Sequence, residues 1–299
     1  MDKLQKLRAF IVVAEEEGFA SAARKLNTSP PAVTRAISSL EQELEVKLFN
    51  RTTRFVKLTD AGSRYQEDCR EILEKMNEAD EAAKGIHAEP QGHITITAPV
   101  MFGRMFVMPS ITCYLKQNLK TSIDAIFLDR VVNMLEEGID LGVRIGELPD
   151  SSMRAIKVGS VRQVLCASPT YFENFGIPQS PSDLVNHQLI ASKAGGFKQD
   201  WQFTEDNKIS SIKIRPRLIV SNNDSAIEAA KSGFGICRLL SYQISPELKK
   251  NLLKITLETC ERAPLPVHIV HREGRLASKK IRSFIDQLAN DLKASPYLN

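Results

Sequence analysis

The chain has 299 residues, enough for two domains and a sizeable core, and its 42% hydrophobic and 25% charged residues are the balance of an ordinary soluble globular protein. A net charge of +4 is too small to name a partner, and the five cysteines (Cys69, Cys113, Cys166, Cys237, Cys260) are odd in number, widely spaced and without a CxxC pair, which excludes a zinc ribbon or a disulfide framework. The first apolar run, Phe10 to Ala14, is cut short by Glu15, Glu16 and Glu17, so neither a secretory signal nor a membrane span is expected and the cytoplasm is the expected location.

Residues 3–17 place Leu4, Leu7, Phe10, Ile11 and Ala14 at helical spacing, with Gly18 as the stop. A short second helix follows, apolar at Phe19, Ala22, Ala23 and Leu26, and Asn27-Thr28 makes a turn. Ser29 is then an N-cap, and Pro30 and Pro31 occupy a first turn whose N–H groups need no partner. Because Pro31 restricts the residue before it, the third helix is expected to begin at or just after Pro30. Val33, Ile37, Leu40 and Leu44 form its buried stripe, leaving Thr34, Arg35, Ser38 and Glu41 outward. Two helices joined by a short turn, the second exposing small polar residues and an arginine, read as a helix-turn-helix. "VKLFNRTTRFVKLT" then reads as a wing, a hairpin with Arg51 and Arg54 near its turn. Residues 24–57 carry seven bases against three acids, a basic block suited to a polyanion.

From Thr59 a long helix is expected to about residue 87. Tyr65, Cys69, Ile72, Met76, Ala79, Ala83 and Ile86 repeat in steps of four and three, the spacing of a coiled-coil dimer seam. An amphipathic helix packed on its own chain gives the same pattern, and both readings stand at this stage. "AEPQG" ends the helix as a linker.

Beyond it, strands ("HITITA", "SIDAIFL", "IDLGVRIG", "VRQVLCAS", "KIRPRLIV", "LPVHIVHR") alternate with helices, one following each of the first two strands. "DSAIEAAKSG" reads as a capped helix closed by Gly233, and 277–293 as a C-terminal helix. This alternation implies an α/β domain with a mainly parallel sheet, binding small molecules beyond its strand ends. His268 and His271 point to opposite faces of one strand, so no shared metal ligation is expected, and no cofactor is. GxSxG, the P-loop and a spaced His/Asp/Glu set are all missing, and "GFG" at 233–235 follows a helix instead of opening one, so an enzyme is not expected.

"FASAARKLNTSPPAVTRAISSLEQELEVKLFNRTTRFVKLTDAG" resembles, nearly position by position, the DNA-binding signature of LysR-type transcriptional regulators. The likeness extends along the chain through "GHITITAPVMFGRMFVMP", "DRVVNMLEEGIDLGVRIGELPDSS" and "VLCASPTYFENFGIP". It implies an α/β protein: an N-terminal winged helix-turn-helix (1–58), a dimerising linker helix and hinge (59–91), and a two-subdomain α/β effector domain (92–299) similar to type 2 periplasmic binding proteins. Subdomain I would hold about 92–162 and 267–299 and subdomain II about 163–266, with crossovers near 160–164 and 264–268. The implied partners are double-stranded promoter DNA, a second copy as dimer or tetramer, RNA polymerase, and a small effector that alters DNA binding or bending.

Ser29, Pro30, Pro31, Thr34, Arg35 and Ser38 would face the major groove, with Arg51 and Arg54 on phosphates or in the minor groove. Tyr65, Cys69, Ile72, Met76, Ala79 and Ala83 would form the dimer seam. Pro99, Val100, Met101, Arg144 and Gly146 from subdomain I, and Ser192, Lys193, Asn222, Asn223 and Asp224 from subdomain II, would line the effector cleft. Helix N-termini and Arg144 favour an anionic effector there, although an ion pair is an equal reading of Arg144. One departure stands out: the family most often has glutamine where this chain has Pro30, which removes a side chain able to read an adenine edge. Two alternatives remain open, an effector-independent regulator and a redox-responsive one acting through Cys237 with Arg238 beside it, a buried inert cysteine being the plainer reading of that thiol.

Overall fold

A computed structural model describes residues 2–51, 56–84, 89–148, 153–196, 199–272 and 278–298. The chain divides into two compact units, Met1–Ala88 and Glu89–Asn299.

In the first unit, α1 (Lys3–Glu16), α2 (Phe19–Lys25) and α3 (Pro30–Leu44) pack around one core, with the hairpin of β1 (Phe49–Arg51) and β2 (Val56–Leu58) and the long α4 (Asp60–Lys84) beside them. Asp2 caps α1 reciprocally: its carboxylate accepts from the Gln5 N–H at 2.8 Å, and the Gln5 side chain accepts from the Asp2 N–H at 3.3 Å. The left-handed residue that ends α1 is Glu17 (φ 47°), while Gly18 is extended. Phe10 joins the elements, its ring 5.3 Å from Phe49 and 5.5 Å from Tyr65.

Glu41 overturns its expected outward position. It is 3% exposed, and its Oε1 accepts from the N–H groups of Leu48 (3.0 Å) and Phe49 (3.2 Å), while Oε2 meets Lys47 Nζ at 3.1 Å. One helix turn beyond Ile37, it lies where the chain enters the wing, and a buried strand entry needs an acceptor for its backbone donors. Thr59 does the same work at the start of α4, accepting from the Gly62 N–H (2.9 Å) and donating to the Lys47 carbonyl (2.7 Å). At Gly62 the helix passes so close to the wing that a Cβ would stand 2.1 Å from the Leu48 carbonyl oxygen.

The second unit holds two five-stranded sheets. Subdomain I orders its strands β4 (Thr121–Phe127), β3 (Gly92–Ala98), β5 (Leu141–Ile145), β14 (Leu265–His271) and β6 (Arg154–Val161). Subdomain II orders β11 (Leu218–Val220), β8 (Leu189–Ser192), β12 (Ile236–Leu240), β7 (Gln163–Ala167) and β13 (Lys254–Thr256). The mainly parallel sheet gives way to a mixture. β3, β4 and β5 run parallel, as do β8, β11 and β12, but β14 is antiparallel to β5 and β6, and β7 to β12 and β13. Strands that carry the chain into or out of a subdomain enter from the opposite end, so they oppose their neighbours.

After β3 the chain turns through α5 (Val100–Phe102) and a π-turn (Gly103–Val107) into α6 (Met108–Gln117). The helix expected after β4 is absent: residues 129–138 run through bends and irregular backbone into turns at 134–138, with the Asn133 side chain accepting from the Leu135 N–H (3.2 Å) and competing with helical bonding. "KIRPRLIV" is split between the last residue of the preceding strand, Lys213, and a short strand at Leu218–Val220, since Pro216 between them cannot donate to a ladder. A separate hairpin, β9 (Asp200–Glu205) with β10 (Lys208–Lys213), covers one face of the second sheet. α7 (Pro169–Phe175), α8 (Asn223–Lys231), α9 (Ser245–Lys249) and α10 (Lys279–Lys293) complete the unit.

Candidate nucleic-acid interface and effector cleft

α3 begins at Pro30 itself, with Pro30 and Pro31 as its first two residues. The expected cap is only half made. Ser29 has the extended backbone of an N-cap, but its hydroxyl makes no capping bond. Pro31 removes the donor at the second helical position that it would serve, and the next N–H groups, of Ala32 and Val33, already bond to the Ser29 carbonyl at 3.0 and 3.2 Å. Ser29, Pro30, Pro31, Thr34, Arg35 and Ser38 are all exposed along one end and face of the helix. Thr34 turns its hydroxyl proton back onto the Pro30 carbonyl (2.9 Å), which leaves its methyl group and oxygen lone pairs outward. Val33, Ala36, Ile37 and Leu40 anchor the opposite face. In the wing, Arg51 ends β1 opposite Val56. Arg54 lies outside the described residues.

α4 corrects the expected seam. Cys69 is 0% exposed and Tyr65 packs on Phe10, so both belong to the core of their own unit. Burial, with Cys69 beside it, pushes the Tyr65 phenol up to about 12. Of the positions named for the seam, Ile72 is the one with a bare apolar side chain, 48% exposed, and Met76 is half-buried. The side chains of Ala79 and Ala83 lie outside the described set, as does Ile86. Near Ile72, Leu44, Val46, Leu48, Ala61, Arg64, Tyr65 and Asp68 line a shallow groove of about 280 Å³.

In the second unit, the two subdomains meet around Phe102, Phe106 and Tyr242, whose ring centroids are 4.9–5.7 Å apart. Above them, Arg104 of the π-turn pairs with Asp224 of α8 at 3.1 Å. Both side chains are exposed, so Arg104→Ala is expected to cost less than about 1 kcal/mol in a thermal melt of the effector unit. Val100 offers its N–H at the start of α5, but Asp129 Oδ1 already accepts it at 3.0 Å. Pro99 precedes it without a donor, and Met101 is buried in the core. Arg144 turns its guanidinium onto the Val132 carbonyl (3.1 Å), and burial pushes it down while Glu137 partly offsets the shift. Gly146 closes β5 with φ 108° and gives its N–H to Pro266. On the other side, Ser192 Oγ accepts from Ala194, Lys193 is exposed, and Asn222 caps α8 by accepting from the Ser225 N–H at 2.8 Å, leaving Asn223 as the first helical residue. Arg104, Asp129 and Asp224, with the Val100 N–H, are therefore the better-defined polar rim; Arg104 and Asp129 lie within segments that carry the family likeness, but nothing in their sequence pattern gave either a role.

Cys237 is buried directly opposite Cys166 on the neighbouring strand, with Sγ atoms 3.4 Å apart. The contact with Cys166 and burial push its thiol up well above the ordinary range. Arg238 cannot lower it, because adjacent strand residues face opposite sides and Arg238 lies against Trp201 and Phe203. These are the marks of an inert thiol. A maleimide reagent is expected to modify exposed Cys113 in the folded protein and to reach Cys166 and Cys237 only on unfolding, as peptide mapping would show.

A winged helix-turn-helix on the same chain as a two-subdomain α/β binding fold defines a DNA-binding regulator that carries an effector domain. Residues 4–63 match the profile of the bacterial regulatory helix-turn-helix proteins of the lysR family, and residues 87–293 match the LysR substrate binding domain. The chain belongs to the LysR family of transcriptional regulators. It is 31% identical to an HTH-type transcriptional regulator of Haemophilus influenzae over 92% of this chain and 96% of that one. Among solved structures it resembles the full-length Vibrio cholerae virulence activator AphB (TM-score 0.62, 26% identity, 97% and 99% of the two chains). CrgA of Neisseria meningitidis is similar at TM-score 0.62 and 26% identity, over 98% and 99%. No described helix is long and apolar enough to cross a membrane, and among the described residues no cluster of His, Cys, Asp or Glu could hold a metal ion.

Proposed function

We propose that the exposed end of α3 reads the major groove of promoter DNA through Ser29, Pro30, Pro31, Thr34, Arg35 and Ser38, while Arg51 and Arg54 of the wing engage phosphates or the minor groove. The observation that carries this reading is the exposure of that row on the side of α3 opposite the buried Val33, Ala36, Ile37 and Leu40. The Ser29 hydroxyl makes no capping bond, both prolines are exposed, and among the described residues Arg35 forms no ion pair. Sequencing the DNA retained by the purified protein, with and without a metabolite extract, tests it. A shared motif that survives in wild type and is lost when the row is substituted supports the assignment; a motif unchanged by those substitutions ends it.

The regulator works as a dimer or tetramer on such DNA, in the cytoplasm, with RNA polymerase at the same promoter. Its self-association uses the outer face of α4 from Ile72 onward, together with the groove beside it. Ile72→Asp is expected to shift the protein toward monomer in sedimentation velocity while leaving the N-terminal unit folded by circular dichroism, since Ile72 lies outside that unit's core. An effector binds between the subdomains, against Pro99, Val100, Ser192, Lys193 and Asn222 to Asp224. With Val100 N–H and Arg104 already engaged, an anionic effector would depend chiefly on Lys193.

A further inference from the structure

β12 presents two unlike faces. Cys237 and Leu239 enter the large core, whereas Ile236 and Arg238 lie toward the β9–β10 hairpin. There the Arg238 guanidinium lies 5.0 Å from the Phe203 ring and 5.8 Å from the Trp201 ring, and donates to the Gln202 main-chain oxygen at 2.6 Å. Arg262 donates to the side-chain oxygen of the same residue, also at 2.6 Å. A single residue of β9 thus gathers two guanidinium groups.

Among the described residues neither guanidinium forms an ion pair. The acids close to Arg262 in the chain, Glu258 and Glu261, are turned instead to Arg162 at 3.3 and 3.5 Å. Burial, and after it the like charge of Arg262, push Arg238 down to about 10. A partly buried cation ordinarily comes with a counter-charge, because desolvation disfavours the charged form and a second cation adds to the cost. Each guanidinium has five N–H donors in a planar fork, and the bond to Gln202 uses only one of them. Both residues are half-buried, and their bonds to Gln202 lie at the exposed surface of the hairpin.

We propose that Arg238 and Arg262, held by Gln202, form a binding site for a small oxyanion, the carboxylate or phosphate group of a metabolite, on the hairpin face of subdomain II. The site is separate from the cleft between the subdomains, which lies toward Asp129, Arg104 and Asp224. Two guanidinium forks match an oxyanion's lone pairs, and the rings of Trp201 and Phe203 fix the plane of the first before a ligand arrives. An anion there offsets the cost of burying Arg238 beside a second cation.

The chain's single tryptophan makes the test specific: Trp201 is 7% exposed and adjoins Arg238. Inorganic phosphate, and in a parallel arm succinate, would be titrated into the full chain at constant ionic strength maintained with sodium chloride, with tryptophan emission as the readout. The expected result is a saturable change with at least one of the two anions and none with chloride, the responding arm identifying phosphate or carboxylate as the preferred group. Arg262→Gln, at the more open edge, should weaken binding by about tenfold or more, as loss of a charge-assisted hydrogen bond does. Arg262→Lys should recover part of the affinity. Absence of saturation in both arms, or an unchanged curve for Arg262→Gln, overturns the proposal. So does an emission change that follows protein concentration without added anion, which would assign the two arginines to carboxylates of a second copy.

Discussion

Replacing Glu41 by alanine is expected to lower the melting temperature of the N-terminal unit by roughly 10 °C or more while leaving the effector unit's transition in place. The reasoning rests on what the carboxylate holds. Glu41 Oε1 is the acceptor for two consecutive backbone donors, Leu48 N–H and Phe49 N–H, at the point where the chain leaves α3 for the wing. Removing it leaves buried N–H groups without an acceptor, at roughly 1–3 kcal/mol each. The pairing with Lys47 adds little, because that lysine is 77% exposed. A loss of this size is a large share of the 5–15 kcal/mol by which a domain is ordinarily stable. Glu41→Gln keeps one oxygen acceptor and should fall between the two. Differential scanning calorimetry on the full chain resolves the question; an alanine variant that melts with wild type would show that the wing is held by its apolar residues alone.

Glu41 also shows where sequence reading stops. The helix-turn-helix was legible because its signals are local: a 3.6-residue apolar stripe, proline at a helix start, and a basic hairpin after it. A glutamate at the end of that stripe reads as solvent-facing by residue type, and only the fold reveals that the wing's backbone donors arrive beside it. The seam expected on α4 was misplaced at Tyr65 and Cys69 for a related reason. Apolar residues in steps of four and three fit either a partner helix or the chain's own α1, and spacing alone does not choose. Tyr65 and Cys69 went to the chain's own core, while Ile72, two turns beyond Tyr65 on nearly the same side of the helix, stayed outside it. In the effector unit, strand positions were readable from apolar runs, but direction was not, since whether β7 and β14 run with or against their neighbours depends on where the chain crosses between subdomains. The rim of the cleft was least legible. Asp129 is an acid in a turn and Arg104 a base in a helix until the fold places one on the Val100 N–H and the other on Asp224, 120 residues away. Arg144, read equally as a ligand contact or as half of an ion pair, turns its guanidinium onto the Val132 carbonyl instead.

Arg35→Ala is expected to weaken specific DNA binding by ~1–3 kcal/mol, the discrimination of one good arginine contact. Two outcomes distinguish what it touches. If the guanidinium reads a base, affinity falls for the preferred site and specificity relaxes at one position. If it meets a phosphate, affinity falls evenly across sequences and the slope of affinity against salt decreases by about one. The residues around it narrow the alternatives. Thr34 has committed its proton to the Pro30 carbonyl, and Pro30 and Pro31 have neither side-chain donor nor N–H, so at this end of the helix Ser29 and Arg35 remain to donate. The N-terminal end of α3 therefore suits an apolar contact, such as a thymine methyl, flanked by a hydroxyl and a guanidinium. Pro30→Gln is the complementary change. A glutamine at the first helical position costs the helix little, regains an amide able to pair with adenine N6 and N7, and should move the base preference opposite that position by ~1–3 kcal/mol toward adenine. Selection of bound DNA from a random pool measures both variants. An Arg35→Ala protein with wild-type affinity at every salt concentration, or a Pro30→Gln protein with the wild-type motif, would remove the corresponding residue from the reading surface.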